Sequence, residues 1–90
     1  MKTLSTYQGW KNYETWNIAL WLGNDEGTYR EMVVLTRRAT SAYELGQSIK
    51  EYVQENNPLV EASMYSDLLN SAISACDFLE IAEHYWNERE

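Results

Sequence analysis

The sequence contains a single imidazole, His84, which lies between two carboxylates at helical spacing. Glu80 precedes it by four residues and Glu88 follows it by four, so on a helix the three side chains share one face. These groups could hold a metal ion or act as a general acid and base. A structural metal site, however, usually has four ligands of the Cys or His type, and the chain has no HExxH, GxSxG or phosphate-loop motif. We therefore favour a surface His on an acidic helix and predict no enzyme activity, metal or cofactor, with a His84-centred enzyme or metal protein as the alternative.

The single cysteine, Cys76, is the only candidate thiol nucleophile. It continues an apolar helical stripe and has no cationic neighbour in sequence, so we predict a buried structural thiol. One Cys excludes an internal disulfide and is typical of a reducing cytosol. The first residues lack the apolar stretch of a signal peptide, and no apolar run approaches the ~20 residues that a membrane-spanning helix needs. The sequence therefore predicts a cytoplasmic protein with no membrane association.

The charge balance limits the class of partner. The chain carries 14 acidic and 7 basic side chains, for a net charge of −7. This charge repels phosphate backbones and anionic lipid surfaces. An aromatic platform for single-stranded nucleic acid is also not expected, because such platforms need a positively charged groove. A basic protein surface is the favoured partner. A nucleic-acid-related role is an alternative, either by direct binding or by mimicry of nucleic-acid charge. Mimicry would require one face to carry Glu44, Glu51, Glu55, Glu80, Glu83 and Glu88.

The elements that position these residues are predicted to be helices. The chain is apolar from Trp16 to Leu22 except at Asn17. Asn12 before this run is a good helix N-cap, and Gly23 after it is a typical helix C-terminal residue. The pattern predicts a helix over about Tyr13–Gly23 that is apolar on nearly all sides, and such a helix is typically surrounded by other elements. Asn17 either faces a gap between neighbouring elements or is buried against a hydrogen-bonding partner. We favour a structural role for it over ligand binding.

Four more helices follow. The second is predicted over about Glu26–Ala39, and the third begins after a capping box at Ser41 and ends at Asn56-Asn57 before Pro58. The fourth begins at Met64, and Asp77 caps the fifth. The residues predicted to face inward are Tyr29, Met32, Val33 and Thr36 in the second helix, and Ala42, Leu45, Ile49, Tyr52 and Val53 in the third. In the fourth helix they are Tyr65, Leu68, Leu69, Ala72, Ile73 and Cys76, and in the fifth they are Phe78, Ile81, Ala82, Tyr85 and Trp86.

Together these elements predict an all-α fold, a compact single-domain bundle of about five short helices around the central apolar helix. The domain would comprise residues 1–90, with an N-terminal arm over 1–11 and a helical core over 12–90. Trp10 is the residue predicted to dock the arm on the core.

Two parts of the sequence resemble a known family. The segment NYETWN at residues 12–17, with LWL at 20–22 and NDE at 24–26, is similar to the opening motif of a family of small proteins from bacteriophages, prophages and bacteria. YSDLL at 65–69 and DFLEIAE at 77–83 resemble the closing segment of that family. The family has no assigned activity. The resemblance implies a phage or mobile-element context, in which small acidic proteins often act by binding a host protein.

The sequence therefore predicts a small acidic protein-interaction module without enzyme activity, which binds and modulates a host protein that has a basic surface. A homo-oligomer is also compatible with the sequence, because a 90-residue chain with four Trp and seven Tyr does not hide them all. The predicted protein-contact residues are Trp10, Glu44, Glu51, Glu55, Glu80, Glu83, His84 and Glu88.

Overall fold

A computed structural model describes residues 7–89, and these residues form five α-helices. The predicted all-α single domain is confirmed, the five predicted helix starts coincide with the observed ones, and the predicted ends of the first three helices lie within two residues of the observed ends. Residues 1–6 of the predicted arm lie outside the described residues. Within residues 7–89, no helix is both long and apolar enough to cross a bilayer. The helices are α1 (Tyr13–Asn24), α2 (Glu26–Arg38), α3 (Ala42–Glu55), α4 (Met64–Ala75) and α5 (Phe78–Glu88).

Every helix begins at a side chain that accepts a hydrogen bond from the first turn, which explains why the boundaries were predictable. The side chain of Asn12 accepts from the Thr15 N–H at 2.9 Å, and that of Asp77 accepts from the Glu80 N–H at 3.1 Å. The predicted box at Ser41 is only half formed. Ser41 accepts from the Glu44 N–H, but the Glu44 carboxylate accepts from the backbone and hydroxyl of Thr40 instead.

The opening motif joins the start of α1 to the turn between α4 and α5. The Thr15 side chain is fully buried, and its hydroxyl donates to Asn12 Oδ1 at 2.6 Å. Thr15 Oγ1 also accepts from the Asp77 N–H at 2.8 Å, and Asn12 Nδ2 donates to the Ala75 carbonyl at 2.9 Å. These last two bonds connect residues more than 60 positions apart, so Asn12 and Thr15 have a structural role.

The core lies mainly between α3 and α5, which form the most extensive helix pair of the described chain. Leu45 and Ile49 of α3 are completely buried, as are Ile81 of α5 and Met32 of α2. Gly46 of α3 lies directly against the backbone at the start of α5. Helix α1 packs against α2, α4 and α5 at the side of this pair.

The prediction that α1 is surrounded on nearly all sides is wrong. Only Thr15 and Leu22 are buried in this helix, while Trp21 is 67% exposed and Tyr13 is 50% exposed. The physical reason is size: a chain of 90 residues has too few elements to cover both faces of an apolar helix.

Part of the predicted apolar stripe of α4 is also exposed. Ile73 and Cys76 are buried as predicted, but Tyr65 and Leu68 are 66% and 63% exposed. Helix α4 packs mainly against α1, and the contact is small. Tyr29 of α2, another residue predicted to face inward, is 46% exposed.

Candidate functional site

The two apolar faces of α1 line two separate cavities. Glu14, Ile18 and Trp21 lie on the side of a groove shared with α3 and α4. Trp16 and Leu20 lie on the other side, where α1 meets α2 and α5. No residue lines both cavities. We call the first cavity the apolar groove and the second the aromatic pocket.

The apolar groove has a volume of about 730 Å³, within the range of ligand-binding clefts. Ile18 and Trp21 of α1 form one wall, Val53 lies near the end of α3, and Leu69 and Ile73 of α4 form the opposite wall. Because Trp21 is 67% exposed, its indole offers a large apolar contact surface at the groove. The groove therefore combines an apolar floor with an accessible aromatic side chain.

The charged side chains that line the groove are acidic. Glu14 and Asp25 line it, and no Lys or Arg within residues 7–89 does so. Hydrogen bonds from the Thr28 backbone N–H and the Thr28 hydroxyl lower the pKa of Asp25, which strengthens the preference of this side chain for its charged form. Asn17 also lines the groove, and its amide donates to the Tyr13 hydroxyl at 3.2 Å. Asn17 therefore faces a gap between elements, the first of its two predicted alternatives.

The aromatic pocket is smaller, with a volume of about 210 Å³. Its walls include Trp10 from the N-terminal segment, Trp16 from α1, Tyr29 from α2 and Tyr85 from α5. Neighbouring rings are inclined to one another: His84 and Tyr85 have centroids 5.6 Å apart and ring planes at 79°. Rings at this distance and angle are in edge-to-face contact. The remaining lining residues are Ala19, Leu20, Gly23, Ile81, His84 and Glu88.

A tight turn holds Trp10 at this pocket. Tyr7 and Trp10 exchange two backbone hydrogen bonds of 2.6 and 2.7 Å, and Gly9 between them has φ of 89°, a conformation that favours glycine. The Lys11 N–H then donates to Glu80 Oε1 at 3.0 Å. Trp10 packs against the core, so the predicted docking of the arm through this residue is confirmed.

Three of the predicted contact residues meet at the aromatic pocket, namely Trp10, His84 and Glu88. His84 Nε2 lies 3.6 Å from the Glu88 carboxylate, and the His84 ring centroid lies 5.8 Å from that of Trp10. Glu80 is half-buried and is hydrogen-bonded to the arm. The other predicted residues are exposed and line neither cavity: Glu44, Glu51 and Glu55 of α3, and Glu83 of α5.

The groove was not predicted from the sequence. Its walls come from three helices that are distant in the chain, and periodicity does not show which faces meet. The feature of the sequence that relates to the groove is that α1 is apolar on both sides. This pattern predicts a helix surrounded on nearly all sides, whereas the structure places a cavity on each side of α1.

The thiol of Cys76 is buried, as predicted. Burial is the main cause that raises its pKa to about 12, and the neighbouring carboxylates of Asp77, Glu14 and Glu80 add to this effect. The side chain is therefore a neutral thiol at physiological pH and a poor nucleophile. Over the part of the chain that the structure describes, no three His, Cys, Asp or Glu residues are grouped as metal ligands would be.

The chain matches the model of one protein family over residues 3–88, almost its whole length. No curated protein and no solved structure matches it. The family match agrees with the prediction of a family without an assigned activity. The chain belongs to the family of unknown function DUF7249.

Proposed function

We propose that the protein is a small acidic interaction module that binds a basic segment of another protein in its apolar groove. The observation that carries this proposal is Trp21, an exposed indole at an apolar groove whose charged lining residues are carboxylates. Trp and Tyr side chains that enter an interface are common binding anchors. In the phage or mobile-element context that the sequence resemblance implies, the partner would be a host protein that the module modulates.

Exposed apolar side chains beyond the groove support a protein partner. Met64, Tyr65 and Leu68 of α4 are each more than 60% exposed, and Val60 in the preceding loop is 87% exposed. Surfaces this apolar on a small domain are typical of protein contact sites. A second copy of the chain is a poorer occupant than a basic partner, because each copy carries a charge of −7.

The carboxylates of the groove favour cationic partners specifically. Glu14 and Asp25 would attract Lys or Arg side chains at the edge of a bound segment, and their field would increase its association rate. The same carboxylates repel phosphate groups. Mimicry of nucleic-acid charge would instead use exposed carboxylates such as Glu44, Glu51 and Glu55 of α3, none of which lines the groove.

The proposal is tested by affinity capture from a bacterial host lysate with three forms of the tagged protein: wild type, Trp21→Ser and Tyr43→Ser. Tyr43 is a matched control because it is also 67% exposed and does not line the groove. We expect one basic protein to be retained by wild type and by Tyr43→Ser, lost by Trp21→Ser, and released by high salt. Direct titration of the purified partner should give an affinity reduced about tenfold or more by Trp21→Ser.

Two outcomes would contradict the proposal. One is a set of captured proteins identical for Trp21→Ser and wild type, which would mean that the groove does not contribute to binding. The other is equal loss of the partner with Tyr43→Ser and Trp21→Ser, which would indicate non-specific adhesion to exposed aromatic side chains. Circular dichroism of the variants confirms that each one is folded before the comparison.

A further inference from the structure

We propose that the aromatic pocket is a binding site for a quaternary ammonium group. The observation is a cavity of about 210 Å³ lined by four aromatic rings, one imidazole and one carboxylate. This inference goes beyond the proposed function, because the pocket and the apolar groove share no lining residue. Either site can therefore be confirmed or overturned without the other.

The arrangement of the rings suits a cation. The Trp10, His84, Tyr85 and Tyr29 rings form a continuous series with successive centroids 5.8, 5.6 and 6.2 Å apart. Their successive planes are inclined by 60°, 79° and 48°, and Trp16 lines the pocket from α1. A cation is attracted to the face of an aromatic ring when it lies within about 6 Å of the centroid. Because these rings all line one small space, more than one of them can contact the same methylated nitrogen.

The carboxylate that lines the pocket has the sign that this ligand needs. It belongs to Glu88, and no Lys or Arg among the described residues lines the pocket itself, although Arg37 and Arg89 line an adjoining cavity. The neighbouring Trp86 gives a contrast within the same helix. The Arg89 guanidinium lies 3.7 Å from the Trp86 ring centroid and donates to the Trp86 carbonyl, so that ring already has a cation from its own chain. The rings of the aromatic pocket have none in residues 7–89.

The size and polarity of the pocket favour an alkylated ammonium. Its volume is below the roughly 300–1,000 Å³ of clefts for drug-sized ligands, so it suits a compact head group. Apart from the carboxylate and the imidazole, its walls are mainly aromatic and aliphatic. A primary ammonium needs hydrogen-bond acceptors to replace its water, whereas a quaternary ammonium has no N–H to satisfy. A choline head group and a trimethylated lysine side chain share this chemistry.

The test is a two-dimensional amide NMR titration of the full chain at pH 8, where an imidazole ordinarily carries no charge. The probes are choline, its neutral isostere 3,3-dimethylbutan-1-ol, and the N-acetyl amide of trimethyllysine. The expected result is a saturable shift of the Trp10 and Trp16 indole N–H signals, with choline or trimethyllysine binding about tenfold more tightly than the isostere. The tighter of the two cations identifies the source of the ligand.

Substitutions in and near the aromatic pocket test whether the cation binds there. Tyr29→Leu removes one ring, and because Tyr29 is half exposed the fold should tolerate the change. We expect it to weaken cation binding about fivefold, with a similar loss for Glu88→Gln. Glu83→Gln removes a charge from the same helix outside the pocket, and it should change the affinity less than twofold.

Three results would overturn the inference. They are equal affinity for choline and its isostere, no saturable shift of either indole signal with any cation, and equal weakening by Glu83→Gln and Glu88→Gln. The first would show an apolar cavity without selectivity for charge. The last would show attraction to the acidic surface as a whole.

Discussion

Gly46 determines how closely the two core helices approach. A Cβ atom added at this position would lie 3.3 Å from the Phe78 carbonyl oxygen and 3.4 Å from the Leu79 Cα. Glycine within a helix costs about 1 kcal/mol of stability relative to alanine. Glycine is nevertheless favoured here, because the atoms it faces belong to the backbone at the start of α5, which shifts less easily than the end of a flexible side chain.

We predict that Gly46→Ala lowers the free energy of unfolding by about 1–2 kcal/mol, since the overpacking cost exceeds the gain in helix propensity. Gly27→Ala is the matched control. Gly27 lies in α2, and an added Cβ there makes only an ordinary contact with Asp25 at 3.5 Å. That variant should be neutral or more stable by up to about 1 kcal/mol. Urea unfolding followed by circular dichroism measures both, and a stabilised Gly46→Ala would contradict the close packing.

At the scale of the helix, α4 shows what periodicity determines and what it does not. The i, i+3, i+4 spacing predicted a helix from Met64, and the helix is there. The same spacing placed Leu68 and Ile73 on one inward stripe, yet Leu68 is 63% exposed and Ile73 only 5%. Which part of a stripe is covered depends on the number and position of neighbouring helices, and the sequence of α4 alone does not contain that information.

The two positions should therefore differ in their contribution to stability. We predict that Ile73→Ala lowers the free energy of unfolding by about 2–4 kcal/mol, because it leaves a cavity in the core. Leu68→Ala should change it by about 0.5 kcal/mol or less. Thermal or urea unfolding of both variants measures these changes in the free energy of unfolding. Equal losses would mean that α4 is rotated relative to this structure, with Leu68 inside.

The difference between contacts within one helix and contacts between distant segments explains which site residues were predictable. Helix caps such as Asn12 and Asp77 act within four residues, so the sequence was sufficient to place them. Trp10, His84 and Glu88 were predicted as protein contacts without any indication that they lie close together. Their meeting at one pocket depends on the turn at Gly9, which returns the arm to α5. Contacts between distant segments arise only from the packing of the whole chain.

The whole molecule is flat, with extents of 42 × 35 × 22 Å. A thin domain has a large surface for its volume, so it cannot enclose all of its aromatic side chains. Helix α1 shows the result most clearly, with a cavity on each side and Trp21 largely exposed. The net charge of −7 opposes contact between copies of such a surface.

We therefore predict that self-association depends on pH. At pH 7 and low salt the protein should sediment as a monomer, because like charges oppose contact between exposed apolar surfaces. Near pH 5, close to its isoelectric point of about 4.6, the repulsion is nearly lost and the weight-average mass should rise.

Trp21→Ser should reduce that rise and Tyr43→Ser should not, if the groove is the surface responsible. Analytical ultracentrifugation at both pH values makes the comparison, with circular dichroism to show that the chain is folded at pH 5. A monomer at both pH values would mean that the exposed groove is not adhesive by itself and needs the basic partner to complete an interface.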